Sequence, residues 1–142
     1  MQKEIKQTWF FHQTPEAVWE YLTQPELMEQ WLMKCDFKPV VGHKFSFMHK
    51  PKNESNYKDI VKGEVLEVTP FSRLSYSWIT GTKDGQKEFT STVVWKLMPK
   101  EGGTELQLIH DGFISLEDVT QHTTGWNSCI TKLEGRLNTI EQ

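Results

Sequence analysis

The most regular apolar pattern of the chain lies in residues 123–142. Apolar side chains recur there at alternating four- and three-residue spacings, which places them along one side of a helix. They are Trp126, Ile130, Leu133, Leu137 and Ile140. The positions between them are mostly polar, and a long helix with one apolar side needs a broad apolar surface to pack on. The pattern therefore predicts a C-terminal helix that lies against a sheet.

The beginning of the chain predicts one strand and two short helices. Apolar residues alternate with polar ones over 5–11, as in a half-buried strand. Thr14 followed by Pro15 is a typical helix start, with a side-chain cap and a proline at the first helical position. Pro25 begins a second short helix that ends near Trp31.

Beyond residue 31 the apolar positions recur at every second residue, which is typical of strands with one buried side. Strands are predicted around Phe45 and Phe47 and over 61–68, 74–78, 89–97 and 106–110. A polar loop is predicted at 50–59, turns at 69–70, 81–85 and 99–103, and a polar connector through Asp118 and His122. Short turns favour an antiparallel meander. The order of elements predicts a single α+β domain over 1–142, with the helices on one side of the sheet.

A curled sheet under a long helix leaves a space in which ligand cavities arise. Aromatic residues make up 12% of the chain, and such side chains either fill a thick core or form rigid cavity walls. Both interpretations stay open for the candidate lining residues, which come from the second helix, several strands and the final helix. These residues are Trp31, Phe45, Phe47, Trp78, Ser91, Trp95, His110, Phe113, Trp126 and Ile130.

Charge and composition exclude several classes of function. The net charge is -3 with scattered basic residues, which argues against a nucleic-acid surface or a basic membrane-binding patch. Cys35 and Cys129 are too far apart for a disulfide framework or a zinc pattern, and the five histidines lack metal-binding spacing. We therefore expect no metal and no cofactor. No apolar run is long enough for a signal peptide or a membrane span, so we expect a cytoplasmic protein.

No motif for nucleophilic catalysis or phosphate binding is visible. His110 is the most informative polar residue, because it shares a strand face with Leu106 and Leu108. Its imidazole either bonds to a backbone carbonyl or neighbouring hydroxyl, or it contacts a ligand. Ser91 is a second hydroxyl on an apolar face. An enzyme would use His110 with Ser91, or with another polar group of the cavity, as acid and base.

Several short phrases occur in one order along the whole chain: Thr14-Pro15-Glu16-Ala17-Val18-Trp19, Gln30-Trp31, Gly63-Glu64-Val65, Tyr76-Ser77-Trp78, His110-Asp111-Gly112-Phe113 and Gly125-Trp126. Together they resemble the activator of heat-shock-protein-90 ATPase homologue family. The resemblance implies the helix-grip fold of the START-like (SRPBCC) superfamily, a curved antiparallel sheet around a long C-terminal helix. Most single-domain relatives resemble binders of apolar small molecules.

Three hypotheses of function follow. The first is a binding module for a hydrophobic or aromatic small molecule, held between the sheet and the C-terminal helix. An alternative, implied by the family resemblance, is a co-chaperone-like module that interacts with a chaperone in the stress response. The third is an enzyme that acts on an apolar substrate in the same cavity. No residue indicates an oligomeric state.

Overall fold

A computed structural model describes residues 4–49, 58–81, 88–113 and 115–139. Within these ranges the chain forms an antiparallel sheet that is covered on one face by helices. In chain order the elements are β1 (Glu4–Phe11), α1 (Pro15–Thr23), α2 (Pro25–Trp31), β2 (Lys34–Cys35), β3 (Lys44–His49), β4 (Lys58–Thr69), β5 (Arg73–Gly81), β6 (Glu88–Lys100), β7 (Gly103–Asp111) and α3 (Leu116–Thr139).

The seven described strands lie in the order β1-β7-β6-β5-β4-β3-β2. All neighbours are antiparallel. The meander predicted for the strands from 61 to 110 corresponds to β4 to β7, and β3 extends it by one strand. The pairing shifts register between Phe47 and Met48 and again between Val65 and Glu67. Such bulges bend a strand and increase its twist, which helps the sheet to curl around the helices. The predicted α+β architecture is confirmed.

The two short helices begin where the sequence predicts. Thr14 Oγ1 accepts a hydrogen bond from the backbone N–H of Ala17 at 3.2 Å, and Pro15 occupies the first turn of α1. Pro25 likewise occupies the first turn of α2, although the Gln24 side chain before it forms no capping hydrogen bond. Trp31, at the end of α2, donates its indole N–H to the backbone oxygen of Tyr21 at 2.8 Å. This bond ties the two helices together, so Trp31 has a structural role.

Helix α3 begins at Leu116, so the prediction of a polar connector through Asp118 and His122 is wrong. Ser115 Oγ accepts a hydrogen bond from the backbone N–H of Asp118 at 3.1 Å, as a helix cap does. Glu117 and Asp118 then lie in the first turn, where acidic side chains favour the helix dipole. The polar composition of this segment reflects its exposed side and does not end the helix.

The apolar stripe of α3 is confirmed over the described residues. Trp126, Ile130, Leu133 and Leu137 are all buried against the sheet and the short helices, and Ile140 lies outside the described residues. The C-terminal part of the helix is tied to the end of β1, because Gln13 Nε2 donates to the backbone oxygen of Leu137 at 3.1 Å. This half of α3 therefore closes the core.

Three loop predictions need correction. Residues 58–59 belong to β4, and Gly81 is the last residue of β5; residues 50–57 and 82–85 lie outside the described part of the chain. The turn predicted at 99–103 is shorter, because Lys100 still pairs with Gly103. Gly102 has a φ of +82°, a conformation that lets glycine close such a tight hairpin. The two-residue strand β2 was not predicted, since it is too short to show an alternation.

Gly63 allows β4 to lie close to its neighbours. A Cβ at this position would collide with the backbone oxygen of Ser77 and with the Phe45 ring. We expect Gly63→Ala to lower the free energy of unfolding by about 1–3 kcal/mol, the usual cost of overpacking. The exposed Lys62 provides a control, since Lys62→Ala should change stability by less than about 0.5 kcal/mol. Equal urea midpoints for the two variants would contradict the close approach at Gly63.

Candidate functional site

Three tryptophans form a layer between the sheet and α3. The Trp126 ring lies 5.2 Å from Trp78 and 5.4 Å from Trp95, measured between ring centroids. Trp95 also meets Trp31 of α2 edge to face at 6.1 Å. Trp78 comes from β5, Trp95 from β6 and Trp126 from α3, so this layer joins the helix to the middle of the sheet. Edge-to-face and tilted contacts of this kind stabilise aromatic clusters.

A second aromatic cluster fills the space between β3 and β5. Phe45 lies 5.3 Å from both Phe47 and Tyr76, and Phe37 lies 5.0 Å from Phe45. All four rings are almost fully buried. At this end of the sheet the aromatic side chains pack against one another.

His110 is at the centre of a hydrogen-bonded chain beneath the N-terminal half of α3. Trp78 on β5 is opposite Ser91 on β6, and His110 on β7 is the diagonal neighbour of Ser91. The His110 ring is fully buried, with Nε2 at 2.8 Å from Ser91 Oγ and Nδ1 at 3.0 Å from Trp126 Nε1. Ser91 Oγ donates in turn to the backbone oxygen of Trp78 at 3.2 Å. The chain therefore joins three strands to α3.

The partners of His110 determine which of its nitrogens carries the proton. An indole N–H can only donate, so His110 Nδ1 must accept from Trp126. The proton of the neutral imidazole is then on Nε2, which donates to Ser91 Oγ. Of the interpretations left open for His110, these bonds correspond to the one in which a neighbouring hydroxyl pairs with the imidazole.

This arrangement does not suit catalysis by His110 and Ser91. A general base would have to accept the Ser91 proton, but the accepting nitrogen of His110 is already bonded to Trp126. Burial of the ring, together with the nearby His122, lowers the pKa of His110 to about 3. Protonation would also place two N–H groups against each other. His110 is therefore a neutral structural link in this conformation.

Two adjoining cavities lie beneath the N-terminal half of α3. Cavity 1 has a volume of about 190 Å³, and cavity 2 has a volume of about 270 Å³. Both are lined by Trp78 of β5 and by Gln121 and His122 of α3. These three side chains therefore form a wall that the two cavities share.

The two cavities differ in the chemistry of their other walls. Cavity 1 is apolar; its remaining lining residues are Leu32, Met33, Gly125, Trp126 and Cys129. Cavity 2 carries hydroxyl groups and a carboxylate; its remaining lining residues are Thr80, Phe89, Thr90, Ser91, Gly112, Phe113 and Asp118. A molecule that spans both would meet an apolar end and a polar end.

The structure brings only part of the predicted lining set to these cavities. Trp78, Ser91, Phe113 and Trp126 contribute to their walls. The other predicted residues are buried in the packing around them: Trp31, Phe45, Phe47, Trp95, His110 and Ile130. For this second group the described contacts are those of a core, and a role in binding stays a prediction.

The lining residues that were not predicted are Leu32, Met33, Thr80, Phe89, Thr90, Gly112, Asp118, Gln121, His122, Gly125 and Cys129. Asp118, Gln121 and His122 lie on the first turns of α3, in the segment that was taken for a connector. The spacing of Ser115 and Asp118 is a capping pattern, and Val119 lies two helical turns before Trp126. These signals would have extended the helix and placed His122 on its inner side.

Cys129 contributes an apolar wall and no nucleophile. Burial raises the pKa of its thiol above the ordinary value, so the reactive thiolate is disfavoured. Cys35 is also buried, with a pKa raised to about 11, and its Sγ lies 3.8 Å from Met28 Sδ. Within the described ranges, no three His, Cys, Asp or Glu side chains form a group that could hold a metal ion. Nor does any described helix combine the length and apolar character needed to cross a membrane.

Comparisons with known proteins agree with this architecture. Residues 12–138 match the family model "Activator of Hsp90 ATPase homolog 1-like protein". Protein MLL2253 from Mesorhizobium loti is 33% identical, with a TM-score of 0.82 over 96% of this chain and 97% of that chain. The AHSA1 (SPO3351) protein from Silicibacter pomeroyi is 22% identical, with a TM-score of 0.82 over 98% and 99% of the two chains. CalU16 from Micromonospora echinospora is 22% identical, with a TM-score of 0.70 over 94% and 73%. No curated protein matches the sequence.

The curled antiparallel sheet and the long helix α3 across its inner face define a helix-grip protein of the START-like class. The chain belongs to the family of Activator of Hsp90 ATPase homolog 1-like proteins. The resemblance of the short sequence motifs to this family is thereby confirmed. The fold is consistent with a ligand-binding module.

Proposed function

We propose that this protein binds a hydrophobic or aromatic small molecule in the two cavities beneath the N-terminal half of α3. The observation that carries the proposal is the shared wall of Trp78, Gln121 and His122, which separates an apolar cavity from a more polar one. Sites for small molecules are typically concave and mostly apolar, with a few polar groups that orient the ligand. The pair of cavities has this composition.

The volumes suit a ligand of one to three rings. Apolar cavities of about 150 Å³ hold a molecule of the size of benzene. Cavity 1 is somewhat larger than that. Each cavity is smaller than the roughly 300 Å³ at which typical ligand pockets begin, and the two together exceed it.

The charge of the walls favours a neutral ligand. None of the described lining residues of the two cavities is Lys or Arg, whereas Asp118 contributes a carboxylate to cavity 2. A buried anionic ligand would lack a partner charge and would be repelled by Asp118, and burial of an unpaired charge is costly. The composition of the walls therefore favours binding of uncharged aromatic compounds over binding of fatty acids and other carboxylates.

Two glycines of α3 provide a matched test of the location. A Cβ at Gly125, in the wall of cavity 1, would meet no atom within 4 Å apart from the adjacent residues and nearby backbone of its own helix. The same is true at Gly135, which lies outside both cavities. Leucine should improve helix propensity by a similar amount at both positions. Only Leu at position 125 would fill cavity 1. We expect Gly125→Leu to weaken binding by about tenfold or more, since overpacking costs about 1–3 kcal/mol.

The measurement is a titration with the uncharged fluorescent probe N-phenyl-1-naphthylamine, monitored by the emission of the bound probe. The unmodified protein and Gly135→Leu should bind the probe equally, and Gly125→Leu should bind it weakly. Absence of binding to the unmodified protein would contradict the proposed function. Loss of binding only in Gly135→Leu would place the site elsewhere, in the surface groove formed by Gln30, Lys132, Gly135 and Arg136.

A further inference from the structure

The shared wall of the two cavities contains a buried donor without a partner. The Trp78 side chain is 6% exposed, and its indole Nε1 has no hydrogen-bond partner among the described residues. The other indoles of the tryptophan layer are satisfied, since Trp126 donates to His110 and Trp95 donates to Tyr76 Oη at 3.0 Å. Buried donors are almost always paired, so the unpaired Trp78 N–H in a cavity wall requires an explanation.

The same wall contains an unpaired acceptor. His122 Nδ1 lies 2.9 Å from the backbone oxygen of Asp118. A carbonyl oxygen only accepts, so Nδ1 carries the proton of the neutral ring and Nε2 is left with its lone pair. No described residue bonds to His122 Nε2, and the ring borders both cavities. The Trp78 and His122 rings form an edge-to-face contact, with 6.3 Å between their centroids.

A hydroxyl group is the simplest neutral group that accepts one hydrogen bond and donates another. Cavity 1, beside this wall, offers flat and polarisable contacts from Trp126, Met33 and Cys129. We propose that the ligand is a neutral hydroxylated aromatic compound of the phenol class, with its ring in cavity 1. Its hydroxyl accepts from Trp78 Nε1 and donates to His122 Nε2. This inference rests on the binding function proposed above and names the chemistry that the site selects.

Other ligand chemistries leave part of the wall unsatisfied. A pure hydrocarbon forms no hydrogen bond with either Trp78 Nε1 or His122 Nε2. An aryl ether accepts from Trp78 but has no proton for His122. A carboxylate accepts from Trp78 but also has no proton for His122, and it meets the Asp118 carboxylate in cavity 2 without a described Lys or Arg nearby. Of the four chemistries compared, only the hydroxyl compound satisfies both atoms without introducing a charge.

Four compounds with the same two-ring skeleton separate these cases: naphthalene, 2-methoxynaphthalene, 2-naphthol and 2-naphthoic acid. Their dissociation constants are measured by calorimetry on the unmodified protein. We expect 2-naphthol to bind about tenfold or more tightly than naphthalene, since each hydrogen bond contributes about three- to tenfold. 2-Methoxynaphthalene should lie between them, and 2-naphthoate should bind more weakly than 2-naphthol.

A substitution at His122 shows whether the preference comes from this wall. His122→Phe keeps an aromatic ring but removes the acceptor, so the ratio of the naphthalene constant to the 2-naphthol constant should fall several-fold. His12→Phe is the matched control, because His12 is exposed on β1's end and packs on Phe10, away from both cavities. For His12→Phe, the ratio of the naphthalene dissociation constant to the 2-naphthol dissociation constant should equal that of the unmodified protein.

The outcomes separate the inference from the function on which it rests. Equal constants for naphthalene and 2-naphthol, or tightest binding of 2-naphthoate, would overturn the phenol class while leaving an apolar binding site. Binding of none of the four compounds, and of no N-phenyl-1-naphthylamine, would overturn the binding function itself. The compound series on the unmodified protein decides between these results even if His122→Phe fails to fold.

Discussion

Trp126→Ala is expected to lower the free energy of unfolding by about 3–5 kcal/mol, the usual cost of truncating a buried large aromatic side chain. Trp126 is 3% exposed and contacts the rings of Trp78 and Trp95. The truncation would also leave His110 Nδ1 without its donor, which adds the cost of an unpaired buried acceptor. Urea unfolding followed by circular dichroism measures the change.

Two further variants divide this loss into its parts. Trp126→Phe keeps an aromatic ring but removes the indole N–H, so it should retain much of the packing and lose the bond to His110. Asn127→Ala changes an exposed side chain on the same helix and should alter stability by less than about 0.5 kcal/mol. A loss below about 1 kcal/mol for Trp126→Ala would contradict the packing of α3 on the sheet.

The buried His110 is expected to make the folded protein sensitive to acid. The folded-state pKa of His110 is lowered to about 3, whereas the imidazole of an unfolded chain titrates near 6.5. Between these two values the unfolded state binds more protons, so stability decreases as the pH falls. This contribution is fully present above pH ~6.5, decreases by up to about 1.4 kcal/mol per pH unit, and is completely lost near pH ~3. The total is on the order of 5 kcal/mol.

A non-titrating variant isolates this effect from that of the carboxylates. His110→Gln cannot acquire the buried charge, so its free energy of unfolding should depend less steeply on pH between ~6.5 and ~4. His12→Gln replaces an exposed histidine and should follow the unmodified protein. Parallel curves for His110→Gln and the unmodified protein in urea titrations across this range would contradict a neutral, buried His110.

The alternation of apolar residues predicted most of the sheet, because a strand with one buried side imposes a period of two. The prediction from alternation failed where the end of an element is determined by a single turn or capping residue, because such a residue produces no repeating pattern. The hairpin at 99–103 is tighter than predicted because Gly102 adopts a positive φ. The start of α3 was placed too late, because the stabilising features there are a Ser115 cap and an acidic first turn, not an apolar stripe.

The candidate site was predicted only in part, for a different reason. Periodicity tells which face of a strand a ring occupies, but not whether the ring meets another ring or an empty space. Phe45 and Trp78 both point to the inner face, yet Phe45 is enclosed by other rings while Trp78 borders two cavities. Whether a ring is enclosed or borders a cavity depends on the volumes of all the side chains around it. Gln121 and His122 were missed because their helix was not recognised that far upstream.

The hydrogen-bonded chain of His110 shows a similar limit. The sequence places Ser91 and His110 on apolar strand faces, which suggested that their side chains could meet. The state of the imidazole, however, is decided by Trp126, which lies on another element. That third partner turns an apparent acid–base pair into a structural link, and only the folded arrangement reveals it.

The order of strands in the sheet also has a consequence for how the chain folds. The hairpins from β3 to β7 pair segments that are close in sequence, whereas Glu4 of β1 pairs with Asp111 of β7. Contacts between distant segments require the closure of a long loop and form slowly. We therefore expect the meander to form first and β1 to dock late, as a strand added to the open edge of β7. Until then this edge is unpaired, and an unpaired strand edge is a site for intermolecular association during refolding.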